Sequence, residues 1–417
     1  MFPQVIRSYP NLRNVCLGIV TNHGAAHDSL AGTTQVLLQT MARGTEQHNE
    51  IEIARLIDGT GGSLFSTTEK DFSVIGAQIQ PKYAIRTLDL LFEMILHPTL
   101  EKDHVLIEKQ NLIQIFHQVN SNPIRRMMIF DADKAAFGEN HPLGRSQIGT
   151  PESLDQLTRD NLQTAHEKLL VSPWGFAVGA ISDSLGEQIN QKYSRFFTSL
   201  KSNVQNPYSF PPRDVSPNQI IATPVKEEGS VYLCLNVITE VNPALIGVAR
   251  FSSALLGESF GSRMFSVLRD QKAFGYITGA TLKLLANTII IRCYMETSPE
   301  RVEEAIDSLV EILIDMGKQR ISQEEYNTTR DFILGQLDLA FDDSRLTASR
   351  IINRKVHGLS PDIESGYDEI QGVTKENIHS WWKNTLLNAD NFSLAVAGDI
   401  NPVKIRQHWQ SNTYSVN

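Results

Sequence analysis

The sequence predicts an α+β protein built from two homologous halves. The chain has 417 residues, too many for one typical domain. Its 41% hydrophobic share, with both charge signs well represented, is that of a soluble, core-forming protein. Helical and strand patterns alternate along it in a mixed order, which indicates α+β layers. Segments of the first half return in the second at a nearly constant offset, the mark of two copies of one fold.

The elements follow in chain order. Residues 15–20 form a short apolar run that reads as a buried strand. Residues 50–58 have helical spacing, 72–79 alternate like a strand, and 83–95 are helical up to the stop at Pro98. Leu157-Thr158-Arg159-Asp160-Asn161-Leu162 opens a helix reaching Leu170, and Phe176-Ala177-Val178-Gly179 is a short strand ended by glycine. Residues 206–217 hold Pro207, Pro211, Pro212 and Pro217 without periodicity, the composition of an extended linker. Three regions are therefore expected: 1–205, a proline-rich linker at 206–220, and 221–417. In the second half, 231–237 answers the strand at 15–20, 288–295 is a strand, and Pro299 starts a helix running to about Met316. Val373-Thr374-Lys375-Glu376-Asn377-Ile378 opens a helix reaching Leu387, 216 positions after its counterpart, and Leu394-Ala395-Val396-Ala397-Gly398 repeats the glycine-ended strand.

Composition narrows the function. A formal net charge of −9 and a pI near 5.7, with no basic run, argue against a nucleic-acid partner. Three cysteines, Cys16, Cys234 and Cys293, are too few and odd in number for a disulfide framework and fit a reducing compartment. The first twelve residues carry no apolar run of signal-peptide or membrane-span length, so the expected location is cytoplasmic, with no membrane partner. There is no GxxxxGK phosphate loop and no Gly-x-Ser-x-Gly elbow. His23 and His27, four apart with glycine and alanine between them, read as surface polar residues in a post-strand loop. His104 and His117 lack a third ligand, and Trp381-Trp382 reads as core packing.

Three segments carry the chemistry. In Gln35-Val36-Leu37-Leu38-Gln39, the two glutamines share one helical face with Leu38 beside them, and Gly44-Thr45 follows shortly after. A later helical stretch, 105–115, contains Gln114, 75 positions beyond Gln39. In the second half, residues 255–276 run through a glycine-containing turn, Ser262-Arg263, and Leu268-Arg269-Asp270 to Tyr276, seven residues after Arg269. Together these resemble the inverted-motif zinc peptidases: pitrilysin, insulin-degrading enzyme and the mitochondrial processing peptidase.

The resemblance implies a specific loss. Active members carry His-x-x-Glu-His where this chain has Gln35, Leu38 and Gln39, and a third ligand, Glu, where it has Gln114. A catalytic zinc site needs three ligands drawn from thiolate, imidazole and carboxylate. Here all three positions are neutral amides, and Leu38 replaces the carboxylate that would act as general base. No cofactor is expected in this chain. Arg269 and Tyr276 match the family's second-half motif, whose guanidinium and phenol reach into another domain's active site to hold substrate carbonyl groups and the developing oxyanion.

The resemblance further implies that each half is a mixed, mainly antiparallel sheet covered by helices on one side, the halves closing like a clam-shell. It implies a catalytically inactive subunit that gives Arg269 and Tyr276 to a homologous, zinc-bearing His-x-x-Glu-His partner, the heterodimer cleaving peptides in a closed chamber. The family's glycine-rich turn is reduced to Gly257-Glu258-Ser259-Phe260-Gly261. Glu258 is expected to disturb or tune peptide contact there, which argues against presequence recognition. The alternative is a non-enzymatic scaffold or peptide-binding protein of the same fold. Relocated catalysis is disfavoured, since no compact set of His, Cys and carboxylates presents itself.

Overall fold

The computed structural model describes residues 4–200, 210–213, 219–226, 229–318, 320–388 and 391–411. Most of the proline-rich stretch at 206–220 lies outside the described residues. The chain forms two compact units, each discontinuous in sequence. The first comprises Met1–Phe116, Ser146–Ser209 and Leu339–Pro361; the second comprises His117–Arg145, Phe210–Asp338 and Asp362–Asn417.

The first unit holds strands β1 (Gln4–Ser8), β2 (Val15–Thr21), β3 (Ser63–Thr68), β4 (Ser73–Ile79) and β5 (Trp174–Gly179). The second holds β6 (Gln219–Pro224), β7 (Val231–Glu240), β8 (Thr278–Leu285), β9 (Thr288–Thr297) and β10 (Phe392–Gly398). Their spatial orders are β1-β5-β2-β4-β3 and β6-β10-β7-β9-β8, the same topology with every strand number raised by five. Within each sheet only the first pair, β1–β5 or β6–β10, is parallel; all other pairs are antiparallel. The predicted fold class and its duplication are therefore observed. The repeat extends to backbone detail. Gly179 and Gly398 end equivalent strands at φ 138° and 142°. A Cβ at either would lie 2.2 Å from the Asn14 carbonyl oxygen or 2.5 Å from that of Ser230, so only glycine fits.

Alternation along the strands sends successive side chains to opposite faces. In the first unit, Val15, Leu17, Ile19, Ala77 and Ala177 join a core with Leu37 of helix Thr33–Met41, Leu88 and Leu91 of helix Ala84–Leu96, and Ile189 of helix Asp183–Ser199. Tyr193, on the last of these helices, is fully buried and donates its hydroxyl to the carbonyls of Gly18 and Phe176, at 2.8 and 2.6 Å. The other face is not solvated, contrary to the expectation of helices on one side only. It is covered by helix Ser344–Val356, which comes from the second half of the chain. Gln78 donates to Ser344 Oγ at 3.1 Å, Arg345 lies 4.2 Å over the Phe65 ring, and Lys355 lies 4.3 Å over Trp174. Burial on both faces explains why β2 reads as a continuous apolar run rather than an alternating one.

The second unit mirrors this. Helices Ile246–Gly257 and Val302–Lys318 pack on one side of its sheet. On the other side, Tyr232, Cys234, Ala395 and Ala397 meet Met127, Ala132 and Ala135. These three lie on a helix from the first half of the chain that begins at Pro123–Arg126, widens into a π turn at Met127–Asp131 and ends at Ala132–Phe137. Asn236 donates to the Ala132 carbonyl and to Ser393 Oγ, both at 3.0 Å, and Arg292 pairs with Asp133. Each unit is thus completed by a helix from the opposite half of the chain.

Candidate functional site

The first candidate region is the helix Thr33–Met41. Val36, Leu37, Leu38 and Met41 anchor it in the core, Leu38 being only 2% exposed. Gln35 and Gln39 are half-buried on its outer flank, and Gln39 Nε2 donates to Ser66 Oγ of β3 at 3.5 Å. Gln114 is exposed on helix Lys102–Ser121, beside exposed Leu106, Ile107 and Ile115. The amides at Gln35, Gln39 and Gln114 do not constitute a zinc donor set, and buried Leu38 can accept no proton. Among the described residues, no three of His, Cys, Asp and Glu gather into a metal-binding group.

Next to this helix the turn at Gly44-Thr45 is held by bridges to Asn49 and Pro98. Arg43 pairs with both Glu50 and the buried Glu108, and His48 Nδ1 lies 2.9 Å from Glu93 Oε1. Arg43, Thr45, His48, Glu50, Glu101 and His104 line a cavity of about 420 Å³. Within it the Arg43 guanidinium is matched by the Glu50 carboxylate, a pairing that sequence spacing alone did not signal. His104 belongs to the first unit and His117 to the second.

The second region lies in the second unit. Arg269 is half-buried on a π-helical turn, Phe265–Gln271, closed by the Lys272 amide donating to the Val267 carbonyl at 3.0 Å. Such turns insert a residue into a helix and re-aim its side chains. The Arg269 guanidinium rests 4.4 Å over the Phe265 ring and 5.4 Å over that of Tyr276. Arg269 and Tyr276, singled out by the family resemblance, are thus side by side, and Tyr276 is 84% exposed. Two aromatic neighbours escaped the sequence reading: Phe265 itself and Phe260, 81% exposed and edge-on to Phe265 at 5.0 Å. Glu258, within the glycine-containing turn, is engaged by the helix before it. Its carboxylate pairs with Arg250 and accepts from Ser253 Oγ at 2.6 Å, both on that helix.

Other sequence candidates resolve plainly. His23 is not at the surface; it is 1% exposed and stacks on His27 at 5.0 Å between ring centres. The loop is covered, and the Gly24 amide donates to His27 Nδ1 at 2.9 Å. Burial, with lesser contributions from His27 and Lys168, pushes His23 down to about 3, and burial also holds His27 below the ordinary imidazole range. Cys16, Cys234 and Cys293 are free and buried, and burial pushes the Cys16 and Cys234 thiols up to about 12. Trp381 and Trp382 are buried edge to face, and Trp382 Nε1 donates to Ser252 Oγ at 3.0 Å, as core packing requires. No helix among the described residues is long and apolar enough to cross a membrane.

Comparison with known proteins agrees with this anatomy. The family description Insulinase (Peptidase family M16) matches residues 5–151, and Peptidase M16 inactive domain matches residues 156–332. An uncharacterized zinc protease of Bacillus subtilis is 22% identical over 405 residues, covering 94% of this chain and 95% of its own length. One from Mycobacterium leprae is 23% identical over 406 residues, covering 94% and 89%. Among solved structures, a peptidase M16 inactive domain from Pseudomonas fluorescens superposes with a TM-score of 0.82 at 17% identity, covering 95% of each chain. A protease from Helicobacter pylori superposes at 0.84 and 15% identity, covering 95% of this chain and 96% of its own. The chain belongs to peptidase family M16.

Proposed function

We propose that this chain is the non-catalytic subunit of a heterodimeric M16 zinc peptidase, lending Arg269 and Tyr276 to the active site of a homologous His-x-x-Glu-His partner. The observation that carries this reading is an asymmetry. Glutamine and leucine occupy the metal-site positions Gln35, Leu38, Gln39 and Gln114, while Arg269 and Tyr276 keep both their identity and their adjacency. The partner supplies the metal and the general base. In this chain Arg269 offers a fixed fork of donors and Tyr276 one more, both suited to a substrate carbonyl whose oxygen gains charge as it is attacked. The substrates are peptides small enough to be enclosed with that site. Gln35, Leu38, Gln39 and Gln114 are then vestiges of a metal site the partner retains.

The test is co-expression with a His-x-x-Glu-His sibling. Neither subunit alone cleaves peptide, and the pair does. Arg269→Ala in the pair costs about 2–4 kcal/mol of transition-state stabilisation, the usual effect of deleting an oxyanion donor. Unchanged turnover in both Arg269→Ala and Tyr276→Phe removes the role assigned to them. A chain that assembles with every sibling tried yet never supports cleavage is a scaffold instead.

A further inference from the structure

We infer that Arg301 is a positioning residue that sets Arg269 and Tyr276 at their working separation, an inference that rests on the function proposed for those two residues. The segment joining them is short and irregular. The π turn ends at Gln271, Ala273 takes a left-handed conformation at φ 49°, and the Phe274 amide returns to the Leu268 carbonyl at 3.0 Å. A left-handed alanine is intrinsically unfavourable and persists only where surrounding contacts hold it.

Arg301 supplies those contacts. Its Nη1 donates to the carbonyls of Lys272 at 2.9 Å and Ala273 at 3.4 Å, and its guanidinium lies 4.1 Å over the ring of Phe274. The rest of the fork is fixed by Glu304, which accepts from Nε at 2.9 Å and from Nη2 at 3.1 Å. One planar group therefore grips two successive carbonyls, one ring and one carboxylate. The loop has two further anchors: Lys272 Nζ donates to Ser308 Oγ at 2.7 Å, and a Cβ at Gly275 would come within 3.0 Å of the Glu296 carbonyl oxygen. Lysine keeps the charge of Arg301 but has no fork, so it cannot hold Glu304 and both carbonyls at once. Arg301 acts through the loop, by its bonds to the Lys272 and Ala273 carbonyls, rather than on substrate.

Two measurements test this, one on the chain alone and one in the pair. Amide hydrogen exchange on the chain alone compares wild type with Arg301→Lys and Arg301→Ala. The expected result is exchange at the Phe274 amide accelerated about tenfold or more in both variants, while the amides of β9 are unchanged. In the pair, Arg301→Lys lowers kcat by about 10- to 100-fold, the scale of a misplaced catalytic group, with KM little altered. Glu304→Gln, which keeps the side-chain shape, shows the same pattern more weakly. Unchanged exchange in Arg301→Lys overturns the bracing role. Faster exchange with normal kcat, in a pair where Arg269→Ala and Tyr276→Phe are impaired, overturns the positioning role and leaves the proposed function standing. Faster exchange where those two variants are themselves fully active overturns the proposed function, and the positioning role with it.

Discussion

Arg292, in the middle of β9, is paired with Asp133, a residue 159 positions earlier in the chain, and both side chains are almost wholly buried. Burial would strip charge from the guanidinium, but the Asp133 carboxylate more than offsets it and holds Arg292 above the ordinary arginine range. Lys283 adds a second cation 3.8 Å from Asp133. This pair clamps a helix from the first half of the chain onto the sheet of the second unit.

Removing one member leaves the other charged and buried. Asp133→Ala is expected to cost about 3–5 kcal/mol in urea unfolding, whereas the double variant Asp133→Leu with Arg292→Met costs distinctly less, because the one charge left there, on Lys283, is partly exposed to water. Equal losses in the two would show that volume, not charge, governs the site.

The reciprocal helix gives a second expectation. Residues 1–205 expressed alone lack Leu339–Pro361 and so leave uncovered the sheet face that carries Gln78, Phe65 and Trp174. Such a fragment is expected to bind a hydrophobic dye and to show little near-ultraviolet circular dichroism. A cooperative transition with full near-ultraviolet signal from that fragment would contradict the assignment of helix Ser344–Val356 to the first unit.

Stability should fall on acidification. His23 titrates near 3 when folded and near 6.5 when unfolded, so its contribution is intact above about pH 6.5 and is lost as pH falls toward 3. Integrated from pH 7 to pH 4 this amounts to about 3 kcal/mol. His357 has the opposite sign. Burial lowers it, but Asp71, 3.1 Å away, and the Asn353 carbonyl outweigh that and raise it. Its contribution is present below 6.5 and is lost as pH rises through its raised value. Denaturation of His23→Gln should show a flatter acid limb and that of His357→Gln a flatter alkaline one; identical profiles for wild type and both variants would refute the assignment.

The metal-site positions offer a fourth test. After dialysis the wild-type chain is expected to retain no stoichiometric zinc, while the quadruple variant Gln35→His, Leu38→Glu, Gln39→His, Gln114→Glu gains about one equivalent by elemental analysis. Zinc retained by the wild type would mean a donor set other than these residues.

Much of the architecture was legible because it is encoded locally. Thr158 caps its helix by accepting from the Asn161 amide, and Thr374 does the same with Asn377, so both copies announce the same helix start within four residues. Arg269 and Tyr276 were legible through resemblance, because the family's second-half motif lies within one short window, residues 255–276. What the sequence hid depends on distant partners. Nothing in Cys16 or Gln78 says that Ser344–Val356 will cover them, and nothing in His23-Gly24-Ala25-Ala26-His27 says that the loop is enclosed. Arg301 looks like an ordinary helix-start residue; its grip on the Lys272 and Ala273 carbonyls exists only once two segments 28 or 29 positions apart are side by side.

The crossing helices also set a timetable for synthesis. When residue 209 leaves the ribosome, the first sheet has all five of its strands, yet the helix that shelters its second face lies more than a hundred codons downstream. At ordinary elongation speeds the ribosome needs roughly 10–30 s to reach Pro361. During that interval the nascent chain carries a bare apolar sheet, a window in which chaperone capture competes with aggregation.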